Sequence, residues 1–290
     1  GLTGICIGAA LSGMRPILTH QRVDFSMLSL DQLINNAAKW HFMFGGVQSV
    51  PLVVRMIIGR GWGQGAQHSQ SLQALFAHIP GLKVIMPTTA YDAKGLLVSA
   101  IEDNNPVIIL EHRWLYNLSS EVPEKLYTVP IGKAQIMHSG TDLTIAATSY
   151  SAIEALEVAQ KLALFGIAVE VIDVRSLRPL DTDKIAGSVS KTGRLLVVDT
   201  GWKNCGVAGE IIASVVEKVF IKLKAPPQRL TLPDLPTPSS PFLTKWFYPT
   251  KKDIAKIIFR MLDKVDQSSA IFPPGETPHD VPHETFTGPF

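Results

Sequence analysis

The chain has 290 residues, room for about two domains of ~150 residues each. Hydrophobic residues make up 46% and charged residues 18%, and mean hydropathy is +0.19, the balance of a globular protein with large buried surfaces, some of them between subunits. A formal charge of +2 with no dense Lys/Arg block gives no long-range pull on nucleic acid or anionic lipid, which argues against both as partners.

Cys6 and Cys205 are far apart and outside any C-x-x-C, so neither a disulfide framework nor a zinc site is indicated. Apolar runs stop well short of ~18 residues and no basic-then-apolar leader opens the chain. A reducing cytoplasm or organelle matrix is the expected compartment. The opening Gly1-Leu2-Thr3-Gly4-Ile5-Cys6 reads as a helix already under way, so an N-terminal truncation is expected.

Small and apolar residues over 4–12 predict a helix that permits close backbone approach, and 15–20 a short strand. Met27, Leu30, Leu33, Ile34, Ala37, Ala38 and Phe42 recur at three- and four-residue spacing, which predicts one amphipathic helix over 25–44, with Asn35 and Asn36 in structural roles. Residues 51–58 are nearly all apolar, as in a strand covered on both faces. After a glycine-rich loop come a helix at 71–78, a strand at 82–86, a helix at 92–102 and a strand at 106–111. This alternation implies a parallel sheet wound with helices.

The pattern breaks over 112–140, read as a linker. It then resumes with strands at 143–148, 168–174, 194–199 and 229–232 and helices at 151–165, 183–190, 207–222 and 251–262. The fold class is therefore α/β, two doubly wound domains at 1–128 and 129–265, with 266–290 an extended tail rich in Pro, Thr and His. Pro278 and Pro282 discourage the helix that would pair His279 with His283, so no metal site is read there.

The loop Gly61-Trp62-Gly63-Gln64-Gly65-Ala66-Gln67-His68-Ser69-Gln70 follows strand 51–58. Alternate glycines free the backbone for positive φ and for close approach to a ligand, and open α/β sheets hold ligands at the carboxyl ends of their strands. The glycines fit neither a phosphate-binding P-loop nor the dinucleotide fingerprint. His68 is a reactive imidazole or a surface histidine on a flexible connector.

Several stretches in order carry a resemblance: Gly8-Ala9-Ala10-Leu11-Ser12-Gly13-Met14-Arg15-Pro16, Asp31-Gln32-Leu33-Ile34-Asn35-Asn36-Ala37-Ala38-Lys39, Gln67-His68-Ser69-Gln70, Asp103-Asn104-Asn105-Pro106 and Arg175-Ser176-Leu177-Arg178-Pro179-Leu180-Asp181. Together they resemble the beta subunit of the thiamine-diphosphate-dependent 2-oxoacid dehydrogenase decarboxylase component, the pyruvate dehydrogenase type of the transketolase superfamily. The resemblance implies a pyrimidine-binding domain followed by a transketolase C-terminal domain. It also implies an oxidoreductase subunit working in a heterotetramer of two alpha and two beta chains, with the helices at 4–12 and 25–44 as subunit contacts. Decarboxylation of a 2-oxo acid would pass an acyl group to a lipoyl acyltransferase. The diphosphate of thiamine diphosphate and its magnesium would be held by the alpha subunit through a Gly-Asp-Gly motif that this chain lacks. A split transketolase-like ketol transferase and a non-catalytic scaffold subunit are the alternatives.

Carried over residue by residue, Phe25 matches the aromatic that packs on the aminopyrimidine ring, and Gln21 a residue lining the same ring. On sequence grounds alone they read equally as a core phenylalanine and a strand-end polar residue. His68 matches the histidine that steadies the substrate and moves protons during transfer to lipoamide, a task suited to a pKa near neutrality. Ala100, Ile101, Asp103 and Asn105 match a turn whose carbonyl oxygens bind structural potassium, although a helix C-cap explains them as well. The glutamate that protonates the aminopyrimidine would precede Gly1, so the chain as given is expected to be catalytically disabled. His20, Arg22, Arg60 and Trp62 depart from the family pattern near the cofactor mouth and suggest a substrate larger or more anionic than pyruvate.

Overall fold

Two runs of aliphatic residues without polar alternation set the architecture. The computed structural model describes residues 1–273, 275, 280 and 281. Its first half holds α1 (Leu2–Leu11), β1 (Ile17–His20), α2 (Ala38–Met43), β2 (Val53–Ile58), α3 (Gln73–Ala77), β3 (Lys83–Ile85), α4 (Ala90–Glu102) and β4 (Val107–His112). The second half holds β5 (Gln135–His138), β6 (Leu143–Ala147), α5 (Tyr150–Ala163), β7 (Val169–Asp173), β8 (Ser176–Arg178), α6 (Thr182–Thr192), β9 (Leu195–Trp202), α7 (Val207–Val219), β10 (Gln228–Leu232), α8 (Pro241–Phe247), α9 (Lys251–Met261) and α10 (Ser268–Ile271).

The first sheet has the order β1-β2-β4-β3-β8 and the second β10-β9-β6-β7-β5. All neighbours pair in parallel except the edge strands β8 and β5, which are antiparallel. Strands β2, β4 and β6 are buried almost along their length, as expected where helices cover both faces. A single apolar cluster runs from Val54, Met56 and Phe76 to Ile185, Ala208 and Ile211, so the two sheets share a core. Burying a side chain such as Phe76 completely stabilises the fold by about 1.5–3 kcal/mol.

Four features differ from the sequence expectation. The helix predicted over 25–44 is a 3-10 segment (Val23–Ser29), then a π-helical segment (Gln32–Ala37), then α2. Asn35 and Asn36 donate back to the Asp31 side chain and carbonyl, at 2.8 and 3.4 Å, within the widened turn, which gives the pair its structural role. The region read as a linker contributes β5, an edge strand whose outer residues face solvent and so lack an apolar signal. The tail begins with α10, whose Ser268 is buried, followed by Phe272 in the second core. His279 and His283 lie outside the described residues. Finally, α8 occupies a stretch that had been assigned no element.

Strand β8 belongs by sequence to the second half but pairs with β3 of the first sheet. Just before it, Arg175 Nη1 meets Asp92 Oδ1 at 2.6 Å, a buried ion pair between the halves. Asp92 is fixed in turn by Thr89, which caps α4 by accepting the Asp92 amide at 3.1 Å.

Asp173, the last residue of β7, is enclosed beside this pair, and among the described residues its Oδ2 has no hydrogen-bond partner. Burial pushes its carboxyl up to about 8; the nearby Asp92 carboxylate adds to the rise, and the Thr88 hydroxyl and Arg175 oppose it. The folded state holds Asp173 protonated while the unfolded chain ionises near the ordinary carboxylate value, so this contribution to stability is full below about pH 4 and lost as pH rises through about 8. Asp173→Asn keeps the neutral shape. Its thermal midpoint should match the parent at pH 4 and exceed it at pH 8.5 in scans across that range; parallel profiles would show that Asp173 is ionised when folded.

Candidate active site

The carboxyl ends of β1, β2 and β4 lie side by side, and the chain leaving each of them builds the site. From β1 come Gln21 to Phe25, from β2 the glycine-rich loop, and from β4 His112, Arg113 and Trp114. Arg22 links the first two. It is 7% exposed, and donates from Nη2 to the Gly59 carbonyl at 2.6 Å, from Nη1 to Gln64 Oε1 at 3.1 Å and from Nε to Asp24 Oδ2 at 3.4 Å. Gln64 Oε1 also accepts from Arg113 Nη1 at 2.7 Å, which ties in the third strand end. Asp24 Oδ1 accepts from Gln70 Nε2 at 2.8 Å.

These bonds fix the neighbours of two expected site residues. Phe25 follows Asp24 and His68 lies two residues before Gln70, and their ring centroids are 5.4 Å apart at 79°, edge to face. Phe25 is 46% exposed and His68 is half-buried, so both are reachable from solvent. Gln21 is exposed on the same turn. The three residues named for the cofactor and the chemistry therefore share one end of the first sheet.

The loop owes its path to its glycines. Gly59 has φ +93°, and a Cβ there would come within 2.3 Å of His112 Nε2. Gly65 has φ +67°, and its Cβ would meet Ser239 Oγ at 2.2 Å. The loop thus presses on β4 on one side and on the segment before α8 on the other.

His112 was read as the start of a linker, but it is a buried part of the site. It stacks on Tyr150 at 5.0 Å and 16°, and its Nδ1 accepts the Trp114 amide at 3.3 Å. Burial, with the charges of Arg60, Arg22 and Arg113, keeps the imidazole neutral well below its ordinary pKa. His20 is also lowered by burial and lies 3.3 Å from Ser29 Oγ. A strand-end position next to the loop was the only signal in the sequence for His112, Arg113 and Gln64.

The guanidinium groups expected to attract an anionic substrate are committed elsewhere. Arg22 serves the network above. Arg60 lies over Trp114 at 4.3 Å and Tyr248 at 4.6 Å, with Glu154 of α5 at 3.8 Å. Arg113 lies over Trp62 at 4.5 Å. The case for a larger or more anionic substrate therefore loses its basis. Between the halves, Arg60, Ser69, His112, Tyr150, Glu154 and Asp199 line a cavity of about 30 Å³, room for a water molecule.

At the end of α4, Ala100, Ile101, Asp103 and Asn105 do cluster, but their oxygens face cations of the chain itself. The carbonyls of Ile101 and Asp103 accept from Arg15 Nη1 at 2.8 and 3.0 Å, Asp103 Oδ2 pairs with Lys83, and Asp103 Oδ1 accepts the Asn105 amide at 2.9 Å. The carbonyl oxygens of Ile101 and Asp103 are thus shared with the Arg15 guanidinium. Among the described residues no group of three or more His, Cys, Asp and Glu side chains is arranged to hold a metal ion. The Phe25 face beside His68 does fit a flat heteroaromatic ring such as an aminopyrimidine.

Residues 1–119 match the family model of the transketolase pyrimidine-binding domain, and residues 132–254 that of the transketolase C-terminal domain, which defines a two-domain chain of the transketolase type. Subunit beta of the acetoin:2,6-dichlorophenolindophenol oxidoreductase of Cupriavidus necator is 46% identical over 252 residues, 87% of this chain and 75% of the relative. The corresponding subunit of Bacillus subtilis is 45% identical over 262 residues, 90% of this chain and 77% of the relative. The mitochondrial pyruvate dehydrogenase E1 component subunit beta of Bos taurus is 45% identical over 268 residues, 91% and 75%. A solved split-gene transketolase, an inactive beta4 tetramer, superposes with a TM-score of 0.73 at 23% identity, covering 90% of this chain and 81% of that one, a likeness of fold. The chain belongs to the family of 2-oxoacid dehydrogenase E1-type beta subunits.

Arg60 joins the loop to the second half, and its removal has a defined consequence. Glu154 is enclosed; burial raises its carboxyl pKa and Arg60 is the first of the charges that hold it down. Arg60→Leu leaves that group without its cation and should cost about 3 kcal/mol in urea unfolding, while Arg60→Leu with Glu154→Gln should recover most of the loss. Equal losses in the single and double variants would mean the aromatic stacking, not the charge pair, carries the contact.

Proposed function

We propose that this chain is the beta subunit of a heteromeric thiamine-diphosphate enzyme that cleaves the carbon–carbon bond beside the carbonyl of a small 2-oxo acid or 2-hydroxy ketone and passes the acyl group to a lipoyl carrier. The observation that carries the reading is the Phe25–His68 pair, edge to face at 5.4 Å and open to solvent at the carboxyl ends of parallel strands. Thiamine diphosphate, when bound, would supply a nucleophilic carbon and a sink for the electrons released by cleavage beside the carbonyl. Phe25 packs on the pyrimidine ring and Gln21 lies along the same edge. His68 orients the substrate and exchanges a proton through its imidazole during acyl transfer. The neutral, enclosed His112 and the aromatic rings around Arg60 support the loop from behind.

An alpha subunit supplies the remainder of the cleft, including the ligands of the diphosphate and its magnesium. Exposed apolar side chains support this: Leu28, Phe42 and Val47 are 94%, 88% and 87% exposed, and Leu2 and Ile5 of α1 are also uncovered. These segments are the subunit contacts of a two-alpha, two-beta assembly. Among the described residues no helix is long and apolar enough to cross a membrane. Free Cys6 and Cys205 support a reducing cytoplasm or organelle matrix.

With the full-length chain and its alpha partner, Phe25→Ala should weaken thiamine diphosphate about 10-fold by calorimetry, because ring contact and burial are both lost. His68→Ala should leave that affinity unchanged and lower acyl transfer to lipoamide about 100-fold. Absence of cofactor binding in the reconstituted parent pair would favour a scaffold subunit; ketol transfer without acyl-lipoamide would favour a transketolase-like enzyme.

A further inference from the structure

The family models end at residue 254, yet one residue far beyond that point reaches the glycine-rich loop. Asp280 is 3% exposed. Its Oδ2 accepts the Gly63 amide at 2.8 Å, its carbonyl accepts the Trp62 amide at 2.8 Å, and its Oδ1 lies 3.5 Å from Thr244 Oγ1 of α8. Trp62 and Gly63 have φ of +50° and +66°, so two successive residues in the left-handed region turn their N–H groups to one side. Such a pair of amides is a concave site for an anion. Here the acceptor comes from 217 residues further along the chain.

We propose that Asp280 is a positioning residue of the active site: it clamps the two left-handed amides of the loop and thereby sets the approach of His68. The inference rests on the function proposed above. Trp62 is not a glycine, and the left-handed conformation is uphill for it, so the loop needs an outside partner to hold this shape. The Asp280 carbonyl takes the Trp62 amide and its carboxylate takes the next one, at Gly63, a charge-assisted bond stronger than one between neutral groups. Arg22 and Gln64 fix the loop from the side of β1, and Gln64 donates its own amide to Gly61 at 3.1 Å. Asp280 fixes it from the side of α8. Beyond these two anchors the chain runs on to His68, whose amide donates to Gly65 at 3.4 Å. Loss of the Asp280 carboxylate removes the side-chain hold on the turn at Trp62 and Gly63, from which the segment that leads to the imidazole departs.

Hydrogen exchange and kinetics on the full-length chain with its alpha partner test this. In Asp280→Ala the Gly63 amide loses its carboxylate acceptor and should exchange about 10-fold faster or more, while the Trp62 amide keeps its main-chain acceptor and amides of β2 and β4 are unchanged. With thiamine diphosphate present, kcat should fall about 10-fold with KM altered by less than 3-fold, since a misplaced acid–base group affects the chemical step first. Asp280→Asn keeps one oxygen acceptor and should recover most of both effects. Unchanged exchange at the Gly63 amide would overturn the clamp. Faster exchange with full kcat would overturn the positioning role while leaving the contact intact. An inactive parent pair would count against the proposed function, and the exchange measurement would still decide whether Asp280 holds the loop.

Discussion

A buried guanidinium at the end of the first strand holds the site in shape. Arg22 is withdrawn from water, which lowers its pKa, and the cost is offset by Asp24 and by two acceptors on the loop. Hydrogen bonds to a charged group contribute about 1.5–3 kcal/mol each, more than a flexible, glycine-rich segment loses by being ordered at those points. The consequence is geometric. Asp24 is tied to both Arg22 and Gln70, so the residues that follow and precede them, Phe25 and His68, cannot drift apart without breaking a charged bond.

The same economy of contacts joins the two halves. Strand β8 closes the edge of the first sheet with residues from the second half, and Arg175 beside it pairs with Asp92. On the opposite flank Arg60 leaves the loop and lies between Trp114 and Tyr248, next to Glu154. The loop therefore rests on both domains, and the shared apolar core beneath makes their relative placement a packed interface rather than a hinge.

The sequence made the sheet legible where burial is two-sided. Residues 53–58 are apolar but for Arg55 and residues 107–110 are apolar throughout, and no other element type accommodates such short runs between turn signals so well. It failed where spacing is ambiguous or the partner is remote. A π-helical turn at Gln32–Ala37 keeps the same spacing of apolar residues as an α-helix, so only the Asn35 and Asn36 bonds to Asp31 reveal it. β5 is an exposed edge, and β8 is defined by a strand about ninety residues earlier. Phe25, His68 and Gln21 were legible through family resemblance. Their supports, Gln64, His112, Arg113 and Asp280, depend on strand order and on the return of the tail, which local spacing does not encode.

Under the proposed function, the charge pattern also suits this wall of the cleft to a ring and not to an anion. Three arginines stand near the loop, yet Arg22 faces a carbonyl, an amide oxygen and a carboxylate, Arg60 is enclosed by aromatic faces, and Arg113 shares Gln64 and covers Trp62. The loop's own anion-binding amides at Trp62 and Gly63 are filled by Asp280. What remains open is an aromatic edge, an imidazole and the apolar surface formed by Leu28, Phe42 and Val47. A cofactor that carries a diphosphate needs its charge met by cations or by uncapped helix amides. Under the proposed function, on a surface whose own cations are engaged, that requirement falls to a second polypeptide, and the cleft is shared.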